Sequence, residues 1–335
     1  HSGNSLRFAA EALGRLHGVV PGDRVLVTLE FGFVGGTILG AWTALLTGAD
    51  VVLMRRWDAD QCLMLIESQR ISYTLLMPTH CYDLLNHPDL GERDTSSLTR
   101  AILAGATPDQ RRLAEVKFCG RAYPMYGMSE SMAHCTCAED DDEAARLTTD
   151  GRPLPGTALR VLDDAGRPVA PGEIGNVFLR GPNRMRRYQS RPYLTTHVLS
   201  EDGWFATGDR GKLNEGGFLT FIARASEVIR RGGVMIQPAE VEAALRSHPA
   251  IADLAVVAVP DARLGERVCA CVQLRQEATL NMAAMQAHLA AAGLPRYQWP
   301  EFLLEFQDLP LTPSLKIRRT DVAQAARGRL RELAG

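Results

Sequence analysis

The chain has 335 residues, 46% of them hydrophobic and 23% charged. These are the proportions of an ordinary water-soluble globular protein, with length enough for two domains. Thirty-seven Lys and Arg against 39 Asp and Glu leave a formal charge of -2, which excludes a global field drawing the protein onto nucleic acid or an anionic membrane, so partners must be recognised locally.

The first segment, "SLRFAAEALGRLHG", has a helical pattern, and no basic stretch leads into an apolar core, so no secretory signal is visible and a cytoplasmic location is expected. Strand-like "DRVLVTL" follows. Residues 31–49, "FGFVGGTILGAWTALLTGA", are uncharged and nearly long enough to span a bilayer. Their five glycines and three threonines, bracketed by Glu30 and Asp50, favour a buried helix packed under a sheet and no membrane span. Helical "DADQCLMLIESQR" then precedes strand-like "ISYTLLM", and helical "TPDQRRLAEVK" lies between "RAILAG" and "RAYPMYG". This alternation predicts an α/β sheet with parallel strands.

At residues 126–130, "YGMSE", the chain leaves the last of these strands. Tyr126 offers a ring face, Gly127 close backbone approach, Ser129 an O–H donor and Glu130 a hard oxygen ligand for a divalent cation, a set suited to a nucleotide with its metal. On these five residues alone, a turn whose Ser-Glu pair caps the next helix is the preferred reading. The acidic run 139–143, "EDDDE", lacks the spaced glycine and oxygen pattern of a calcium loop and reads as a solvated turn.

From about residue 156, "TALRVLDDAGRPVAPGEIGNVFLRG" joins β-rich runs by Asp-Ala-Gly and Pro-Gly turns, the texture of an antiparallel or barrel-like subdomain. "GWFATGDRGKL" places Asp209 after a Thr-Gly turn, and "FIARASEVIRRGG" places Arg224 at a strand end. Near Arg224 a third texture begins, reading helix, strand, strand, helix, strand, the content of a small α+β domain. "LPLTPSLKIRR" sets Lys316 in a Pro-marked loop. Taken singly, Asp209, Arg224 and Lys316 read as a helix cap, a surface ion pair and a solvated lysine.

The seven cysteines include two C-x-C pairs, Cys135/Cys137 and Cys269/Cys271, and neither has zinc-ribbon or redox spacing. His134 beside the first pair could complete a metal site, but small core fillers are the preferred reading. In "VCACVQL", strand alternation puts both thiols on one face.

The order Tyr-Gly-x-Ser-Glu, Trp-Phe-x-Thr-Gly-Asp, Arg before Gly-Gly, then Pro-x-x-x-x-x-Lys resembles the adenylate-forming superfamily over essentially the whole chain, and within it the CoA ligases for medium-chain, alicyclic or aromatic acids. The resemblance implies an α/β fold: the C-terminal part of a large adenylation domain over 1–223, with an α/β layer at 1–150 and a β-rich subdomain at 151–223, followed by a small mobile α+β domain at 224–335. It implies ATP/AMP, Mg2+ and coenzyme A as cofactors and a hydrophobic carboxylic acid as substrate. Gly105 and Ala106 then form the backbone edge of an adenine pocket, Tyr126 and Gly127 lie against adenine, and Ser129 faces the phosphates. Glu130 holds Mg2+, Asp209 takes the ribose hydroxyls, and Arg224 contacts ribose and phosphate. Lys316 bridges the carboxylate and α-phosphate in the first half-reaction. Arg231, Gly232 and Gly233 line the pantetheine path in the second, after the small domain rotates.

Four departures qualify the resemblance. The family's phosphate loop is missing, and "HSGNSLRFAAEAL" looks like the text that directly follows it, so the chain resembles a protein without the family's N-terminal portion. "FGFVGG" replaces a His-bearing segment near the acid pocket, with Phe33 as a substitute gate. Ser226 stands at the hinge position, and Leu315 replaces a Gly before Lys316. Two readings follow: an acid-CoA ligase completed by its missing region, or a non-catalytic homologue that binds an adenylate, AMP, CoA or a partner chain. The pattern leaves a homo-oligomer open. "RRGG" as an RNA-binding cluster is disfavoured by its single copy and the slightly negative charge.

Overall fold

The computed structural model describes residues 1–225, 227–312 and 317–334. The chain divides into two compact units, His1–Phe221 and Ile222–Gly335, each with hydrophobic cores of its own. In the first, helix α1 (Gly3–Leu16) starts from a Ser2 capping box, in which Ser2 and Ser5 satisfy each other's backbone amides. Strands β1 (Arg24–Val27), β2 (Asp50–Leu53), β3 (Tyr73–Leu76), β4 (Arg100–Leu103) and β5 (Arg121–Tyr123) form an all-parallel sheet in the order β2-β1-β3-β4-β5.

Side-chain alternation along these strands feeds two cores. Val25, Tyr73, Leu75, Ile102 and Tyr123 pack with Ala9 and Leu13 of α1 and with Ile38 and Leu39. Leu26, Leu76, Ala101, Leu103 and Ala122 face the other way. There they meet α3 (Ala59–Gln69) through Leu63 and Ile66, α4 (Pro78–Leu85) through Leu84, and α5 (Pro108–Lys117) through Ala114. The uncharged run expected to be a buried helix is a π-helix, Gly35–Trp42, continued by α2 (Thr43–Thr47). Ile38, Leu39 and Ala44 are buried, whereas Leu45 and Leu46 are exposed. Among the described residues no helix is long and apolar enough to cross a membrane.

After β5 the chain turns at Pro124 into a three-stranded antiparallel sheet: β6 (Met125–Met128), β7 (Met132–Thr136) and, after α6 (Glu143–Thr148), β8 (Arg152–Pro153). The element after Glu130 is therefore a strand, which overturns the helix-cap reading of Ser129-Glu130. The acidic run is not a plain solvated turn either: the Asp142 side chain accepts from the Ala145 amide and caps α6. A second antiparallel sheet follows, with β9 (Ala158–Leu162), β10 (Gly175–Arg180), α7 (Pro192–Val198), β11 (Phe205–Leu213) and β12 (Leu219–Arg224), ordered β12-β11-β10-β9. The boundary between the units falls within β12.

The second unit contains the expected helix, strand, strand, helix, strand series as α8 (Pro238–Arg246), β15 (Ile251–Asp261), β16 (Gly265–Leu274), α9 (Met282–Ala291) and β17 (Phe302–Glu305), closed by α10 (Arg319–Ala334). Ahead of it stands a hairpin, β13 (Ile229–Arg231) and β14 (Val234–Ile236). Its two turn residues, Gly232 and Gly233, both have positive φ (56° and 87°), the conformation that a two-residue type I′ turn demands and that glycine adopts without a Cβ clash. Buried Glu242 of α8 receives both guanidinium nitrogens of Arg319 at 2.5 and 2.7 Å and the Val256 amide at 2.8 Å, fastening α10 to α8 and β15.

Candidate functional site

Gly105 and Ala106 lie just beyond the carboxyl end of β4, ahead of the Thr107 capping box that starts α5. The Ala106 carbonyl accepts from Arg111 Nη1 at 2.8 Å. Arg111 also donates to the Leu147 carbonyl through Nη2 at 2.7 Å and Nε at 3.2 Å, and to the Thr149 carbonyl at 3.1 Å. In sequence Arg111 looks like the solvent face of a helix; it is 2% exposed. Its acceptors are backbone carbonyls, one of them 36 residues away, so no local signal marks it.

Tyr126, in β6, is 6% exposed and packs with Cys135, Val161, Val177, Leu179 and Leu219. Its hydroxyl donates to Asp209 Oδ2 at 2.6 Å. Asp209, in β11 after Gly208, is buried at 1% exposure, and its own amide donates to Thr207 Oγ1 at 3.0 Å. The two motifs, 83 residues apart, thus meet directly. Burial, and after it the Asp209 charge and hydrogen bond, push the Tyr126 phenol above its ordinary range, so it stays a donor.

Gly127 sits at a register shift between β6 and β7, where a Cβ would lie 1.8 Å from the Met132 carbonyl oxygen. Ser129 and Glu130 occupy the turn between these strands. Ser129 is exposed, and its carbonyl accepts from His1 Nε2 at 2.7 Å. Glu130 is half-buried: Oε1 accepts from the Tyr188 hydroxyl at 2.7 Å, and its carbonyl from the Met185 amide at 2.6 Å. Asn183 Nδ2 donates to the Ser131 and Ala133 carbonyls at 2.9 and 2.8 Å. The sequence motifs single out neither Tyr188 nor Asn183, and the Arg-Gly-Pro turn just before them is the local cue to the stretch.

His134, Cys135 and Cys137 are fully buried. His134 Nε2 donates to the Ala158 carbonyl at 3.1 Å, and Nδ1 lies 3.1 Å from the Asn183 amide nitrogen. Both ring nitrogens are thus engaged and none faces a thiol group as a free ligand, which agrees with the core-filling reading. Cys269 and Cys271 share a strand face with sulfurs 3.8 Å apart, also buried.

Arg224 is exposed at the end of β12 and belongs, like Arg231, Gly232 and Gly233, to the second unit. Arg231 Nε donates to Glu301 Oε1 at 2.6 Å, Glu301 Oε2 accepts from the Val268 amide at 3.0 Å, and the Gly232 amide donates to the Leu264 carbonyl at 2.8 Å. Lys316, together with Ser226 and Leu315, lies outside the described residues. Among the sequence-derived candidates, then, the first unit joins Tyr126 to Asp209, with Gly127 next to Tyr126 in β6 and Ser129 and Glu130 on the adjoining turn.

A model of the AMP-binding enzymes matches residues 1–189, and one of the AMP-binding enzyme C-terminal domain matches residues 240–316. The medium-chain fatty-acid–CoA ligase of Escherichia coli (strain K12) is 34% identical over 299 residues, 89% of this chain and 53% of that protein. The indoleacetate–CoA ligase of Aromatoleum aromaticum is 36% identical over 313 residues, 92% of this chain and 60% of that protein. The solved o-succinylbenzoate CoA synthetase of Bacillus subtilis, in complex with its acyl-adenylate intermediate, superposes with a TM-score of 0.86 at 26% identity, covering 96% of this chain and 65% of that one. The chain thus spans between half and two thirds of the length of these relatives.

Proposed function

The chain belongs to the AMP-binding enzymes, and on that premise we propose that it carries the adenylate-binding part of an AMP-forming acid–CoA ligase acting on a hydrophobic carboxylic acid. The carrying observation is the 2.6 Å hydrogen bond from Tyr126 to Asp209. It fixes the carboxylate in a buried position, so that its orientation does not have to be won when a ribose arrives. In the reaction, a substrate carboxylate oxygen attacks the α-phosphorus of ATP, the bond to the β-phosphate oxygen breaks, and pyrophosphate leaves. The CoA thiol then attacks the acyl carbon, its proton is lost to a base, and AMP departs with the carboxylate oxygen. Asp209 accepts the ribose hydroxyls, the Gly105–Ala106 backbone borders the base beside Tyr126 and Gly127, and Ser129 faces the phosphates. Arg224 contacts ribose and phosphate, Lys316 bridges substrate carboxylate and α-phosphate, and Arg231, Gly232 and Gly233 line the thiol path. That the relatives' names include CoA ligases for fatty and aromatic-ring acids supports this substrate class.

Calorimetric titration with AMP tests this reading. Asp209→Ala is expected to weaken AMP binding by about 1 to 3 kcal/mol, the loss of hydrogen bonds to a charged acceptor. Tyr126→Phe is expected to weaken it less, because the carboxylate remains. Unchanged affinity in folded Asp209→Ala would count against the assignment.

The donor set at Glu130 fits Mg2+: a half-buried carboxylate turn beside the phosphate-facing Ser129, paired among the described residues with a tyrosine hydroxyl and with no basic side chain. When bound, Mg2+ would neutralise phosphate charge. Tyr188 orients the carboxylate through Oε1, and outer partners of metal ligands carry weight in affinity. Tyr188→Phe is therefore expected to raise the Mg2+ concentration that half-saturates nucleotide binding by about tenfold. The readout is calorimetry at a series of Mg2+ concentrations, and an unshifted half-saturation point would rule out the positioning role.

A further inference from the structure

A cleft of about 780 Å³ opens where the edge strand β2 ends and α3 begins, and Arg55, Arg56, Asp58, Asp60, Gln61 and Arg93 contribute to its lining. Its volume lies in the range of small-molecule sites and far exceeds the needs of one small inorganic ion. Three basic and two acidic side chains line it, and both acidic ones are engaged by other groups. Asp58 Oδ1 accepts from the Gln61 amide at 2.9 Å and caps α3, and Asp60 Oδ1 lies 3.1 Å from His87 Nε2. Arg93 pairs with Glu67 at 3.2 Å. Arg55 and Arg56, both exposed, have no hydrogen-bond or ion-pair partner among the described residues.

The segment that presents them is held from both sides. Before it, Met54 is buried and its amide donates to the Val27 carbonyl at 3.1 Å. After it, Trp57 stacks on His80 with ring centroids 3.9 Å apart, and its indole N–H donates to Asp83 Oδ2 at 2.7 Å. The two guanidiniums therefore project from an anchored bend, and the positive end of the eleven-residue α3 opens onto the same cleft. A concave wall focuses such a field, and guanidinium forks match phosphate oxygens geometrically.

We propose that this cleft binds a phosphate monoester dianion, with Arg55 and Arg56 supplying the two balancing charges and the remaining volume taking the organic part of the ester. The site is separate from the adenylate reading and does not rest on it. It differs in its elements: β2 and α3 at one edge of the parallel sheet, against β6, β11 and the β6–β7 turn for Tyr126, Asp209 and Glu130.

The test uses the Asp209→Ala protein, in which the proposed AMP site is weakened and the cleft is untouched, because AMP is itself a phosphate monoester and would occupy both. Adenosine 3′,5′-bisphosphate, inorganic phosphate and adenosine are each titrated by calorimetry, at low and at high salt. The expected result is saturable binding of the bisphosphate, weaker binding of inorganic phosphate, and none of adenosine. With Arg55→Gln/Arg56→Gln added, the bisphosphate affinity should fall at least about tenfold, consistent with the loss of charge-assisted bonds, while the melting temperature holds. Arg55→Lys/Arg56→Lys should keep part of the binding, because charge remains while the fork geometry is lost. Inorganic phosphate binding as tightly as the bisphosphate would overturn the ester assignment. Bisphosphate binding that is absent, or untouched by the double Gln variant, would overturn the site.

Discussion

Alanine at Gly127 is expected to lower the unfolding free energy by about 3 kcal/mol or more, at the upper end of single-residue effects. A Cβ there would lie 1.8 Å from the Met132 carbonyl oxygen, 2.9 Å from its carbon and 3.1 Å from Ala133 Cα. All three are backbone atoms, so no rotamer relieves the overlap and the β6–β7 pairing has to open. Met132 itself has a left-handed φ of 55°, which leaves the partner strand little freedom to yield. Opening the pair displaces Tyr126 and the Glu130 turn together, so AMP affinity should fall with stability. Urea unfolding of the variant beside wild type is the check, and a difference within about 0.5 kcal/mol, the usual range of neutral surface changes, would show that the bulge closes without glycine.

The second large effect is acid sensitivity that begins well above the carboxylate range. Burial, with the nearby Arg100 charge, lowers the His17 pKa to about 3, and burial lowers His80 and His134 to about 4. At His17 the geometry gives the reason. The Thr136 hydroxyl donates to the Pro124 carbonyl at 2.7 Å, so it accepts from His17 Nε2 at 3.0 Å, and Nδ1 accepts from the Tyr73 hydroxyl at 2.8 Å. A second ring proton would have to turn the Tyr73 hydroxyl from donor to acceptor, and would place a charge in a fully buried pocket. Unfolded histidine takes up its proton near pH 6.5. Because the folded pKa values lie lower, the unfolded state binds more protons between pH 6.5 and about 4, and stability falls as pH falls through that window. Each group contributes at most about 1.4 kcal/mol per pH unit, and the three together at most about 4 kcal/mol per pH unit. A margin of about 5 to 15 kcal/mol would be largely consumed by pH 4 to 5. Urea midpoints measured from pH 7.5 to 4.5 should decline from about pH 6.5 downward; a flat profile to pH 5 would show that these rings protonate without unfolding the chain.

The parallel sheet was legible because each of β1, β3, β4 and β5 is a short apolar run beside a helical pattern, and that periodicity survives in the fold. The π-helix was not. A run apolar on every face has no polar stripe to reveal whether its side chains recur at the α or the π spacing, so residues 35–42 looked simply helical. The Gly-Gly turn of β13–β14 carried a readable hairpin signal, which the resemblance to a pantetheine-path segment obscured. At the candidate site, the order of motifs brought Tyr126 and Asp209 to one ligand but gave no sign that they bond to each other. Arg111, Tyr188 and Asn183 stayed hidden for a common reason: each acts on backbone or side-chain atoms dozens of residues away, and sequence spacing reports only neighbours.

One short stretch, Asn183 to Met185, holds the β6–β7 turn and the start of β7 at three carbonyls: those of Ser131 and Ala133 through the Asn183 amide, and that of Glu130 through the Met185 amide. A turn tied only at its strand ends would sample many conformations and surrender them each time a ligand bound. Here that conformational entropy is lost once, during folding, when the stretch after β10 docks as a template. A ligand bound at Glu130, as proposed, would meet a turn whose ordering is already complete.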